Sequence, residues 1–217
     1  MECIFDNPLY QAARESRLRN LFRCIDAGLL TGKRVLEVGC GTGELGQAFV
    51  AAGCRVLSVD GRPEYIEELG RRFPGRQALV MDLENWVPAQ LGRFDMVLCF
   101  GLLYHLARPA EFLASCSRLA PELYLETVVS DAFEPVCPLV LEEGSDQACS
   151  GMGCRPSPAW LNQTLSGLGF EVNDISGADA NWGGSVPSVF DWTPQNDREW
   201  QRDGALLRKM LICKRAE

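Results

Sequence analysis

The sequence predicts an α/β domain built on a mostly parallel sheet with helices on both faces. Three observations carry that prediction. Short apolar runs alternate with helical segments from Arg34 to Thr127. The first run passes directly into a glycine-rich turn, and an acidic residue stands at or just after the end of each of the next two. Strands alternating with helices in this way pair in parallel and need a helix layer on each face.

The elements follow in order. Residues 8–28 read as one or two helices, with Leu18, Leu21, Phe22 and Ile25 at helical spacing. Arg34 to Val38 is a strand, Gly39 to Gly43 a tight turn, and Glu44 to Ala52 a helix that Gly53 ends. Arg55 to Val59 is a second strand running into Asp60, followed by a helix from Pro63 to Phe73 with proline at its start. Gln77 to Met81 is a third strand that leads to Asp82, and Phe94 to Phe100 is a fourth. A helix over Pro109–Leu119 leads to a fifth strand at Leu123–Thr127. The alternation then loosens over residues 129–155. Ser157 to Leu168 returns to helix, with Ser157 as N-cap and Pro158 as first helical residue. Phe170 to Ile175 is a sixth strand. Residues 176–204 read as a loop carrying Trp182, Trp192 and Trp200. Leu206 to Cys213 closes the chain as a last strand in a hairpin at the sheet edge.

The 217 residues suit one domain over 1–217 with a sizeable core, and a hydrophobic fraction of 47% excludes a disordered chain. No apolar run approaches the roughly 20 residues of a membrane helix. The N-terminus carries early acids and no long apolar stretch, so it does not read as a secretory signal. A cytoplasmic location is expected. The ten cysteines include no CxxC pair and the chain has a single histidine, so no metal site is expected. Cys54, Cys99 and Cys213 read as buried thiols. A net charge of -8 disfavours a broad nucleic-acid footprint, and the basic stretch Arg14, Arg17, Arg19 and Arg23 reads as a solvated helix face.

The chemistry concentrates in VLEVGCGTGELG. Gly39, Gly41 and Gly43 let the backbone turn sharply and approach a ligand closely. The helix that follows offers free N–H groups to a carboxylate or phosphate. Asp60, roughly 20 residues on, is placed to accept both hydroxyls of a ribose, and Asp82 with its neighbours can flank an adenine. A nicotinamide enzyme would place its third glycine later, as GxGxxG; here it comes early, as GxGxG.

VLEVGCGTG, VLSVDGRPE, MDLEN and FDMVLCFGLLYHL, taken in order, resemble the motif series of class I S-adenosylmethionine-dependent methyltransferases over residues 33–128. The resemblance implies a Rossmann-like, seven-stranded sheet with an antiparallel last strand and S-adenosylmethionine as cofactor. It implies that Glu37, Gly39, Cys40, Gly41 and Gly43 surround the methionine part. Asp60 would hold the ribose, with Gly61 and Arg62 bordering it. Asp82 and Leu83 would flank the adenine, and Phe100 would line the floor below the sulfonium. N-terminal helices over residues 1–30 would cover the cofactor.

Leu103-Tyr104-His105 followed by Pro109, and Leu125-Glu126-Thr127-Val128, also resemble the catalytic domain of the tRNA wobble-uridine oxyacetic acid synthase family. This chain lacks that family's N-terminal extension and is acidic. The expected acceptor is therefore a small molecule, a sugar or secondary metabolite methylated on oxygen or nitrogen. A tRNA wobble-uridine (carboxy)methyltransferase and a catalytically silent cofactor-binding regulatory module are the alternatives. Methyl transfer needs alignment above all, and a hydroxyl acceptor benefits from a base near neutrality. His105 fits that role, with Tyr104 touching cofactor or acceptor. Glu126 either positions the acceptor or bonds a backbone N–H. Arg155, Trp182, Trp192 and Arg208 are expected on the acceptor side, with residues 129–155 and 176–204 as lid segments over it.

Overall fold

A computed structural model describes residues 4–86, 88–142, 150–177 and 207–215. Its main sheet has seven strands in the order β3-β2-β1-β4-β5-β9-β8. They are β1 (Arg34–Val38), β2 (Arg55–Asp60), β3 (Gln77–Val80), β4 (Met96–Phe100), β5 (Glu122–Val129), β8 (Phe170–Asp174) and β9 (Leu207–Arg215). β1 to β5 run parallel, and β9 is antiparallel to both of its neighbours. The resemblance to class I methyltransferases implied this sheet.

Burial explains why these runs read as continuous apolar stretches. Every position of β4 and all but the first of β1 and β5 are buried. Successive side chains still alternate faces. Val35 and Leu98 join Phe49, Tyr124 and Met210 in one core, while Leu36 and Cys99 join Leu113, Leu125 and Leu165 in the other. The buried thiols Cys54, Cys99 and Cys213 sit in or beside these strands, and burial pushes the Cys213 thiol up to about 12.

Among the described residues, five α-helices accompany the sheet: α1 (Pro8–Cys24), α2 (Glu44–Ala51), α3 (Pro63–Arg72), α4 (Pro109–Leu119) and α5 (Pro158–Gly167). Ser157 caps α5 by accepting a 3.1 Å hydrogen bond from the Trp160 N–H. Among the described residues, no helix is long and apolar enough to cross a membrane.

Two readings of the sequence change. Residues 129–155 contain a second, two-stranded antiparallel sheet, β6 (Leu139–Leu141) with β7 (Met152–Cys154). Strands of three residues are too short to show a period. The closing hairpin of β8 and β9 stands at a sheet edge as expected, with β9 inserted between β5 and β8 and β8 outermost. Seven of the nine β9 positions are buried, as an inner strand requires. The basic face of α1 is not fully solvated. Arg17 turns inward, its side chain 13% exposed, toward the fully buried Glu126.

β1 lies between β2 and β4, and the connections after β1 and β4 leave in opposite directions across the sheet. Such a switch point opens a crevice at the carboxyl ends of the strands. The glycine turn, Asp60, Phe100 and the Leu103–His105 turn all stand there.

Candidate active site

A cavity of about 410 Å³ fills this crevice. Gly39, Cys40 and Gly41 form one wall. Gly39 and Gly41 adopt φ +65° and +52°, the left-handed region that favours glycine. A Cβ on Gly41 would stand 2.6 Å from the Phe5 ring. Phe5 packs edge-on against Tyr10 and Tyr65, with ring centroids 5.9 and 5.1 Å away, at the mouth of the cavity.

Asp60 ends β2 inside the cavity and is 9% exposed. Its oxygens accept the Gly41 N–H at 2.9 Å and the Arg62 N–H at 3.0 Å. Burial raises its carboxyl above the usual range, against these backbone donors. A carboxylate has about four lone-pair sites, so two bonds leave acceptor capacity for hydroxyls. Gly61 and Arg62 line the cavity beside it. Asp82 and the buried Leu83 lie further along. Asp82 accepts from the Glu84 N–H at 2.9 Å and the Asn85 amide at 2.8 Å, which folds the loop tightly and holds its carboxyl below the usual range, the Asn85 bond contributing most. Phe100 lies in the wall at the end of β4.

Glu37 and Gly43 do not line this cavity; they support it from behind. Glu37 accepts the Gly46 N–H and the Ser58 hydroxyl, both at 2.7 Å, and pairs with Arg76 at 3.0 Å. Burial raises its carboxyl despite these partners. A Cβ on Gly43, at φ +88°, would stand 2.6 Å from Leu69 of α3. Both residues fix where α2 begins, and so where the glycine turn sits.

A second part of the lining is polar and strongly charged. Tyr104, His105, Arg14, Arg17 and Arg208 make it up. Glu126 lies behind this wall, 0% exposed, accepting from Arg208 Nη1 at 2.7 Å with Arg17 Nε 3.5 Å away. Burial alone would raise the Glu126 carboxyl, but Arg17 and Arg208 outweigh it and hold it below the usual range. Arg208 also reaches the Tyr104 hydroxyl at 3.4 Å and lies over its ring at 5.3 Å.

His105 Nδ1 stands 2.5 Å from Oε2 of Glu142, at the end of β6, and Glu142 Oε1 pairs with Arg155 Nη2 at 2.8 Å. The Glu142 side chain is only 2% exposed. Burial lowers the His105 pKa below its ordinary value, with Glu142 opposing that shift. Arg155 lies outside the cavity and braces the turn, donating to the Tyr104 carbonyl at 3.2 Å. Trp182 and Trp192 lie outside the described residues.

Sequence reading missed Glu142, Arg14, Arg17, Phe5 and Tyr10. Glu142 follows an apolar run in a stretch read as loop, with no local motif. The arginines sit in a helix whose polar pattern is that of a surface element.

A family model described as "Methyltransferase domain" matches residues 36–121. The chain is similar to the ubiquinone biosynthesis O-methyltransferase of Bordetella parapertussis, 35% identical over 99 residues, which is 43% of this chain and 41% of that protein. It therefore spans less than half the length of the curated relatives it matches. Among solved structures, the N-terminal domain of EvdMO1 in the presence of SAH and D-fucose superposes with TM-score 0.70 at 22% identity, covering 95% of this chain and 84% of that one. Magnesium protoporphyrin IX methyltransferase (ChlM) from Synechocystis PCC 6803 with bound SAM superposes with TM-score 0.62 at 16% identity, covering 97% and 85%. The chain thus carries a methyltransferase-domain match over residues 36–121 and shares the fold of S-adenosylmethionine-dependent methyltransferases.

Proposed function

We propose that the chain transfers a methyl group from S-adenosylmethionine to an oxygen of a small-molecule acceptor. The observation that carries this reading is one cavity whose two walls differ. The Gly39–Gly41 turn and Asp60 line it together with Tyr104 and His105. The nucleoside wall fits the cofactor: close backbone approach at Gly39 and Gly41, spare acceptor capacity at Asp60, and a folded loop at Asp82 and Leu83. When bound, S-adenosylmethionine supplies the methyl group: its S–CH3 bond breaks with the electron pair kept on sulfur while the acceptor oxygen forms the new O–CH3 bond.

The chain's own residues then have distinct tasks. Asp60 and the glycine turn hold and orient the cofactor. Phe100 closes the wall between the two ends. His105 takes the proton of the acceptor hydroxyl, and its lowered pKa keeps it in the neutral, basic form near neutrality. Glu126 acts indirectly, by fixing Arg208 and Arg17 at the wall. Similarity to O-methyltransferases of ubiquinone biosynthesis supports oxygen over nitrogen. The acidic balance of the chain favours a small molecule over RNA.

The test is a panel of phenols, sugars and RNA fragments with labelled S-adenosylmethionine, scored by S-adenosylhomocysteine release and label transfer. Turnover on a hydroxylated small molecule is expected. Turnover on RNA alone would overturn the acceptor class, and binding without any turnover would favour a silent module.

A further inference from the structure

We propose that Glu142, braced by Arg155, is a positioning residue that fixes the ring proton of His105 on Nδ1 and leaves Nε2 as the acceptor facing the cavity. The inference rests on the reading of His105 as the base and goes beyond it, because it assigns a role to the small sheet formed by β6 and β7.

The geometry is specific. Glu142 lies outside the cavity, whereas His105 lines it, so the nitrogen bonded to Glu142 is not the one available to a substrate. Arg155 has only donors, and its Nη2 is ion-paired with Glu142 Oε1 at 2.8 Å, so it favours an oxygen at that position. Oε2 of the carboxylate is an acceptor, so the Nδ1 facing it must carry the proton. Among the described residues, the charged and titratable groups around the ring are Glu142 just past β6, Arg155 after β7, Arg208 from β9 and Tyr104 from its own turn. Only Glu142 among them is a carboxylate, so it alone favours the imidazolium that forms when Nε2 takes a proton.

The hairpin is built to hold this contact. Three consecutive residues dock on the Leu103–His105 turn. Gly153 packs so closely that an added Cβ would collide with the Tyr104 carbonyl oxygen and stand 2.7 Å from Glu142 Cδ. The Cys154 thiol donates to the Leu103 carbonyl at 3.4 Å, and Arg155 donates to the Tyr104 carbonyl. A surface hairpin with no role would not need glycine at that contact.

His105 is the only histidine in the chain, so its imidazole can be observed without ambiguity. The experiment is long-range 1H–15N correlation on uniformly 15N-labelled protein across a pH titration, with the same samples assayed for methyl transfer. In the wild type, we expect the neutral ring to carry its proton on Nδ1. In Glu142→Gln, Arg155 demands the amide oxygen, so the NH2 faces Nδ1 and the proton should move to Nε2. The titration midpoint should fall by about 1 pH unit as the negative charge is lost, and kcat should drop by about 100-fold or more. Adding Arg155→Met frees the amide to turn its oxygen toward Nδ1, so the double variant should regain the Nδ1–H form. A wild-type ring protonated on Nε2 would overturn the proposal. So would a Glu142→Gln protein with unchanged tautomer and midpoint. The wild-type spectrum alone decides if the variants fail to fold. The tautomer is read without any acceptor, so failure of the methyl-transfer reading would show as inactivity with the Nδ1–H ring intact.

Discussion

The two walls of the cavity are built in different ways. The cofactor wall is local. Gly41 meets Asp60 across 19 residues, and Glu37 meets Gly46 across 9 and Arg76 across 39, all within the first two consecutive strand–turn–helix units. The acceptor wall is assembled from distant parts of the chain. His105 meets Glu142 across 37 residues, and Glu126 meets Arg208 across 82. The first wall is a consequence of the sheet. The second depends on an inserted strand and a separate hairpin, the parts of a fold most free to vary with the acceptor.

That difference can be tested by perturbing each wall. The largest effect is expected behind the cofactor wall. Glu37→Ala leaves Arg76 buried without its carboxylate, which costs about 3–5 kcal/mol. Thermal unfolding should show a large loss of Tm, and the surviving folded fraction should keep most of its cofactor affinity. A stable variant with tenfold weaker S-adenosylmethionine binding would instead make Glu37 a direct ligand.

On the acceptor wall the loss should be in rate and not in fold. His105→Ala is expected to lower kcat by about 100-fold while cofactor affinity and Tm change little. For the wild type, kcat/KM should be flat through neutrality and fall on the acid side, with its midpoint below the ordinary histidine value of about 6.5. The sign follows from the burial-lowered pKa: protonation removes the base only at a pH below that of a free imidazole. Wild-type turnover in His105→Ala would leave the ring only a packing role.

The smallest effect is expected at Asp82. Its carboxylate folds its own loop through Glu84 and Asn85, so Asp82→Ala should loosen that loop by about 0.5–1.5 kcal/mol, a severalfold loss of cofactor affinity with kcat unchanged. An effect as large as that of an Asp60 variant would mean that Asp82 binds the cofactor directly.

The same contrast explains what was legible in the sequence. β1, β2 and β4 announce themselves because a parallel strand buried on both faces is a continuous apolar run, and GCGTG followed by a helix has few structural uses. Pro109 and Ser157–Pro158 mark helix starts by local chemistry that the structure repeats. Glu142 could not be read in this way. It sits after a three-residue strand, and what gives it meaning is a histidine on another element. Arg17 misled for a related reason: its helix places an arginine toward Glu126 of β5, and no period within α1 signals a buried ion pair. The motif groups Gly43 and Glu37 with Gly39 and Gly41, whereas Gly43 stands against Leu69 and Glu37 is tied to Gly46, Ser58 and Arg76 outside the cavity lining.

The most direct test of the account is calorimetric titration of S-adenosylmethionine into wild-type protein and Asp60→Asn. Asp60 sits where the glycine turn, the second strand and the cavity meet, and replacing a charged acceptor there removes about 1.5–3 kcal/mol of binding. We expect measurable wild-type affinity, at least tenfold weaker binding in Asp60→Asn, and unchanged Tm. Equal affinity in the two proteins, or no binding by the wild type, would contradict the assignment of this cavity to the methyl donor.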